Sequence, residues 1–298
     1  MSTAIATDFP FKSHFVNVHG AKMHYVDEGE GDPLVFIHGI PTSSYLWRNI
    51  IPALSNQARC IALDLIGMGQ SDKPDIDYTV FDHIHYLEGF ISALDLKNVT
   101  FMLHAWGSVI GFDYAMRNEE NVKALAFTEA QLRPAVNPEM VALPMHELAA
   151  VLGQEDGGYD VVMNTDYYID KIFPGTIVRR LSPEELAYYH APFSKPGSRK
   201  PIWQFLQDLP LGKQRTDVVA LIERYSQKLT QSQLPKLMFY AVPGFNTTIE
   251  TVKWAKDHLP HLTQIAVEDA LHYPQESNPQ VISEALSEWY SNLVIESA

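Results

Sequence analysis

Apolar and polar residues alternate over residues 22–26, and a second short run with strand character covers 15–18. Only His19-Gly20-Ala21 separates them, which predicts an antiparallel hairpin. The pattern then changes. Leu34-Val35-Phe36-Ile37 is apolar without interruption, as in a strand buried on both faces. Helical spacing follows over 44–54. Next come a strand at 59–63, a helix at 79–94, a strand at 99–103, a helix at 106–117 and a strand at 122–127. Strands alternating with helices at this spacing predict βαβ units and a mostly parallel sheet.

The alternation stops near Pro134. Up to about Lys213 the chain reads as helices punctuated by Pro138, Pro144, Pro174, Pro183, Pro192, Pro196, Pro201 and Pro210. The rhythm returns with strands at 236–241 and 262–267 and helices at 249–258 and 279–293. The expected organisation is an α/β core of residues 1–133 and 214–298, interrupted by a helical cap at 134–213. Open parallel sheets bind ligands at the carboxyl ends of their strands. An insertion after the strand at 122–127 would lie over that edge and enclose a pocket.

Composition narrows the function. The 298 residues carry a formal net charge of −14, and the longest basic tract is Ser198-Arg199-Lys200, so neither nucleic acid nor an anionic membrane is an expected partner. No apolar run is long enough to span a bilayer, and residues 1–20 lack the basic and apolar regions of a signal peptide. The single cysteine, Cys60, excludes an internal disulfide and a cysteine zinc site. A reducing cytoplasm is the expected compartment. Nothing in the sequence reports oligomeric state.

Candidate chemistry clusters at strand ends. The strand at 34–37 runs into His38-Gly39-Ile40-Pro41, where glycine allows close backbone approach to a ligand. The strand at 59–63 runs into Asp64-Leu65-Ile66-Gly67-Met68-Gly69-Gln70-Ser71. The strand at 99–103 runs into His104-Ala105-Trp106-Gly107-Ser108 and then a helix. This strand–turn–helix with small residues is a nucleophile elbow, whose middle residue sits on a strained turn. After the last strand stands Leu271-His272-Tyr273-Pro274-Gln275-Glu276, and a histidine there is placed as a general base.

On these segments, together with Pro41-Thr42-Ser43-Ser44-Tyr45-Leu46-Trp47-Arg48-Asn49-Ile50-Ile51-Pro52, the chain resembles the haloalkane dehalogenases of the α/β-hydrolase fold. It resembles the coelenterazine luciferases more distantly. The resemblance spans nearly the whole length. It implies the fold strongly and the function less so. It also implies a base at His272, an acid partner at Glu129 in Phe127-Thr128-Glu129-Ala130, and a halide-contacting Trp106. Two positions depart from the family pattern: Ala105 stands where the nucleophilic Asp belongs, and Ile40 where a halide-binding Asn belongs. Pro274 replaces the usual Leu.

Those departures change the chemistry. Dehalogenation needs an oxygen nucleophile that attacks carbon and forms an ester, and a methyl group cannot do this. The leaving halide needs donors where charge develops, and Ile40 supplies hydrocarbon. The expected activity is therefore general-base chemistry by His272 and Glu129, without a covalent intermediate or cofactor, on an apolar small molecule. Gln131, Tyr168 and Phe205 are further candidates to contact that ligand, with Tyr167 and Trp203 nearer the default of core aromatics. The alternative is a ligand-binding protein, or an inactive or engineered dehalogenase variant. A nucleophile removed from an otherwise intact site would leave the other groups in place, and Ile40 counts against that. Arg133 is expected in a hinge ion pair, and His104 in a structural role. His83 and His85, at i and i+2 of a helix, should face different ways and hold no metal. Gly67-Met68-Gly69 lacks the third glycine of a dinucleotide site.

Overall fold

The apolar run at 34–37 is a central strand, Pro33–Ile37, with a parallel neighbour on each side. Its alternate side chains leave on opposite faces. Val35 and Ile37 join one hydrophobic cluster, and Leu34 and Phe36 the other. Both faces are covered, so no polar position interrupts the run.

The computed structural model describes residues 5–134, 157–209 and 215–296. Its strands are β1 (His14–Val18), β2 (Ala21–Glu28), β3 (Pro33–Ile37), β4 (Arg59–Leu63), β5 (Val99–His104), β6 (Val122–Thr128), β7 (Lys236–Pro243) and β8 (Leu262–Ala270). They form one sheet in the order β1-β2-β4-β3-β5-β6-β7-β8. β2 is antiparallel to β1 and β4, and every other pairing is parallel. The carboxyl ends of β3, β5, β6, β7 and β8 therefore lie along one edge of the sheet.

The helices of eight residues or more are α1 (Val80–Ala93), α2 (Trp106–Arg117), α3 (Gly157–Asn164), α4 (Pro183–His190), α5 (Lys200–Gln207), α6 (Thr216–Leu229), α7 (Ile249–His258) and α8 (Pro279–Glu296). Thr79 and Asp82 close a capping box at the start of α1, and Ser182 and Glu185 do so at α4. No strand occurs among the described residues between β6 and β7, as the punctuated helical pattern implies. Pro138, Pro144, Pro210 and the expected boundary at Lys213 fall outside the described residues. No helix among the described residues is long and apolar enough to cross a membrane.

Two expectations need correction. The helix expected over 44–54 is a pair of 3-10 turns, Ser44–Trp47 and Ile51–Ala53. Pro52 has no N–H to donate to the carbonyl four residues back and its ring crowds that carbonyl, so a continuous α-helix does not run through, and Pro52 instead sits in the first turn of the second 3-10 segment. Helix α6 also lies beyond the expected end of the helical segment. Its buried Val218, Leu221, Ile222, Tyr225 and Leu229 carry the 3-4 spacing that marks it in the sequence.

Candidate active site

The loop after β5 is the elbow the sequence implies. Ala105 has φ 48° and ψ −121°, caps α2 without a side-chain hydrogen bond, and is buried. Such a backbone costs about 1–3 kcal/mol and persists only where its surroundings fix it. Two glycines provide that fixing. A Cβ on Gly39 would stand 2.8 Å from the Ala105 Cβ, and one on Gly107 would meet the Ile37 carbonyl oxygen at 2.4 Å. The β3 loop thus packs directly on the elbow. Trp106, as the first residue of α2, has a backbone N–H outside the helical ladder.

Opposite the elbow, β8 delivers His272 and β6 delivers Glu129. The Glu129 carboxylate is fully buried, and its Oε2 accepts from the Asn246 backbone N–H (2.5 Å) and from His272 Nδ1 (3.1 Å). The proton of the imidazole therefore sits on Nδ1, which leaves Nε2 with a lone pair. Glu129 is itself held at φ 48°, and its backbone carbonyl accepts from Asn246 Nδ2 at 3.0 Å. Behind the pair, His104 Nε2 contacts the His272 carbonyl at 2.8 Å, and Tyr273 donates its hydroxyl to the Ile40 carbonyl. Burial and the neighbouring His272 hold His104 well below the usual histidine range. It is neutral and serves as a brace, as expected.

A cavity of about 40 Å³ lies between elbow and histidine. Ile40, Ala105, Trp106, Gln131, Tyr168 and His272 all line it, so six of the sequence candidates meet in one place. Glu129 stands behind His272. Phe205 is the exception. It is stacked between Trp106 (4.9 Å) and His83 (4.4 Å) and is absent from the wall, where Leu206 and Leu209 take its place. The α5 turn aims its neighbours inward and Phe205 at the back of the indole. Tyr167 is exposed, and Trp203 packs edge-on against Tyr159.

Sequence reasoning missed Asn246, Phe245 and Thr176 on the wall. Asn246 follows Gly244, whose φ of 77° turns the chain after β7. The Gly-Phe-Asn sequence signals a turn, and nothing local marks its contact with Glu129, 117 residues away. Arg133 forms no ion pair among the described residues. It donates to Thr251 Oγ1 at 3.3 Å and lies over the Trp254 ring, because no carboxylate reaches its guanidinium. His83 and His85 do face different ways: His83 is buried against Phe205, and His85 stacks on His19. Among the described residues, the one group able to hold a metal is Asp166, Asp170 and His190. None of the three lines the cavity, and the Arg199 guanidinium already occupies Asp166.

The cavity wall carries few polar groups. Burial pushes the Tyr168 hydroxyl above its ordinary range, so it stays protonated. The Gln131 side-chain amide has no hydrogen bond among the described residues, while its backbone is pinned by Ser108 Oγ and the Tyr225 hydroxyl. The site offers one lone-pair base, a few neutral donors and hydrocarbon.

Comparison with known proteins agrees with this architecture. A family model described as alpha/beta hydrolase fold matches residues 32–279. A haloalkane dehalogenase of Agrobacterium fabrum is 37% identical over 286 residues, covering 95% of this chain and 92% of the relative. One from Sphingobium indicum is 38% identical over 291 residues, covering 95% and 97%. Among solved structures, haloalkane dehalogenase DbeA from Bradyrhizobium elkani superposes with a TM-score of 0.93 at 32% identity, covering 96% of this chain and 99% of that one. The chain is a member of the haloalkane dehalogenase family of the α/β-hydrolase fold.

Proposed function

We propose that this chain is a general-base catalyst acting on an apolar small molecule, with His272 as base, Glu129 as its partner and no covalent ester. One observation carries the reading. The lone pair on His272 Nε2 belongs to a cavity whose elbow residue, Ala105, bears no oxygen or sulfur. Its relatives are named for dehalogenation. Here the elbow residue has no atom to attack carbon, and Ile40 has no side-chain donor for halide. The described helices between residues 157 and 207, which contribute Tyr168 and Leu206 to the wall, would act as a cap that keeps water from the cavity.

In the proposed step a C–H proton of the substrate passes to His272 Nε2. Its electron pair moves into the substrate and expels a leaving group or forms a stabilised anion. Glu129 stabilises the resulting imidazolium, and the indole N–H of Trp106 and the Gln131 amide face the developing negative charge. Tyr168 and Ile40 define the apolar wall.

Ring opening of 5-nitrobenzisoxazole, which needs only removal of a carbon-bound proton, tests the reading. Wild-type protein accelerates it, and His272→Ala lowers the protein-dependent rate by about 10²–10⁴-fold. An unchanged rate in His272→Ala removes the proposal.

The retained backbone strain at Ala105 favours one second reading, a binding scaffold whose elbow persists without a reacting atom. Bromide release from 1-bromobutane by the double replacement Ala105→Asp with Ile40→Asn, with no ring opening by wild type, supports that reading instead.

A further inference from the structure

A second histidine–carboxylate pair lies away from the cavity, on the antiparallel side of the sheet. β2 carries His24 and the end of β4 leads into Asp64, and the pairing of Tyr25 with Leu63 sets the two in register. The Asp64 N–H donates to the His24 carbonyl at 2.8 Å. Ser71 Oγ clips both residues, accepting from the His24 N–H (2.9 Å) and donating to the Asp64 carbonyl (2.7 Å). Both side chains are buried, His24 fully and Asp64 to within 1%.

His24 Nδ1 stands 2.8 Å from Asp64 Oδ2, and His24 Nε2 stands 3.0 Å from Ser13 Oγ. Burial opposes the charge on Asp64. Hydrogen bonds from His24 Nδ1–H and the Ser44 N–H help to outweigh it and hold the carboxyl below its ordinary range. An ionised Asp64 accepts from Nδ1–H, so Nε2 is left to accept the Ser13 hydroxyl proton. This polarity activates a serine. Ser13 is exposed, and the half-exposed Phe15 ring covers the imidazole at 5.2 Å. A groove of about 360 Å³ is lined by Asp64, Gln70, Phe9, Tyr45 and Tyr188, and Gln70 bridges from its wall to Ser13, with Nε2 3.5 Å from the hydroxyl.

We propose that Ser13, His24 and Asp64 form a second nucleophilic site, which accepts acyl groups from aryl esters whose ring seats in the aromatic groove. Ser13 Oγ bonds to the acyl carbon as its proton passes to His24 Nε2 and the carbonyl oxygen takes the negative charge. On collapse the acyl–oxygen bond to the aryloxide breaks, and the aryloxide leaves with the proton from His24. The acyl group remains as an ester on Ser13. A water, deprotonated by the same imidazole, then releases the carboxylic acid and regenerates Ser13. Gln70 Nε2, 3.5 Å from Ser13 Oγ and 3.3 Å from His24 Nε2, is the nearest side-chain N–H donor for the oxyanion. Acylation expels an aryloxide, whereas deacylation must expel the serine alkoxide, a much poorer leaving group, so the acyl ester on Ser13 accumulates during the first turnover.

The test is a burst of p-nitrophenol from p-nitrophenyl acetate, with peptide mass spectrometry locating the acetyl group. Full-length wild type and His272→Ala both acquire acetyl on Ser13, about 10²-fold faster than on any other exposed serine. Ser13→Ala loses the burst, and because Ser13 is exposed this variant keeps its fold. His24→Gln slows acetylation of Ser13, with circular dichroism confirming that it is folded. An undiminished burst in Ser13→Ala, acetyl found only on lysines, or a burst lost in His272→Ala overturns the proposal.

Discussion

Among the described residues there are two buried histidine–carboxylate pairs, and they differ in what the second imidazole nitrogen meets. At the cavity, His272 leans on Glu129 and its Nε2 meets an enclosed space beside Ala105. On the antiparallel side, His24 leans on Asp64 and its Nε2 meets the hydroxyl of an exposed serine. One pair has shelter without a nucleophile, and the other has a nucleophile without shelter. They are also held differently. His24 is locked inside a strand by sheet register. His272 sits on a loop whose far end is tied by Glu276 to Arg48, Arg179 and the Tyr189 hydroxyl. The same acid–base unit thus arises from two constructions, and the single atom facing it decides which reaction it supports.

The largest effect expected is at Glu129. In Glu129→Gln an amide N–H can face Nδ1 and shift the imidazole proton to Nε2, which removes the base. Ring opening of the benzisoxazole then falls by up to about 10⁴-fold, the loss seen for the wrong tautomer in a serine-hydrolase triad. Acetylation of Ser13 is unchanged in the same variant. A fall in both would erase the independence of the two pairs.

Next comes the tether. Arg48 donates to Glu276 at 2.5 and 2.9 Å and to Glu185 at 2.7 Å, and all three side chains are almost fully buried. Arg48→Ala leaves buried carboxylates short of a partner and lowers stability by about 3–5 kcal/mol in urea unfolding. A loss below about 1 kcal/mol, the worth of an exposed pair, would show that the tether is peripheral.

His83 supplies the contrast of a histidine with no carboxylate. Both of its ring nitrogens are buried without a partner, and burial, with the nearby His38, pushes it down to about 3. The unfolded chain binds this proton near pH 6.5, so the stability it contributes is complete above 6.5 and is lost as the pH falls toward 3. His83→Phe keeps the ring stack and flattens that decline by roughly 1.4 kcal/mol per pH unit, read from urea midpoints between pH 6 and 4. An identical decline in the variant assigns it to His38 and His104, which burial also shifts downward.

The smallest effect is at Ser71. Ser71→Ala removes the clip between His24 and Asp64 and costs about 1–3 kcal/mol. It also slows Ser13 acetylation while leaving ring opening intact. Equal slowing of both reactions would mean that the two sites share one scaffold.

How much of this was legible follows from contact distance along the chain. The β3 run, the Thr79 cap and the strand–turn–helix at Ala105 are local patterns, and the sheet and elbow follow from them. Five cavity residues, Ile40, Ala105, Trp106, Gln131 and His272, follow strand ends that converge on one edge, whereas Tyr168 is a candidate only through the family resemblance. Phe205 could not be separated from Leu206 that way, since helix phase within the segment depends on packing against Trp106. Asn246 escaped because its partner Glu129 is reached only through the pairing of β6 with β7. The Ser13–His24–Asp64 line escaped for the same reason, as 40 residues separate His24 from Asp64. Helix α6 did carry its own 3-4 pattern and was legible in principle.

Intact-protein mass spectrometry on samples quenched during incubation with 1,2-dibromoethane reveals whether a covalent ester forms at the cavity. With no such ester the protein mass stays unchanged and no bromide appears in solution. A bromoethyl ester mapped to a peptide lining the cavity, with bromide released in step, would overturn the non-covalent reaction proposed for His272 and Glu129.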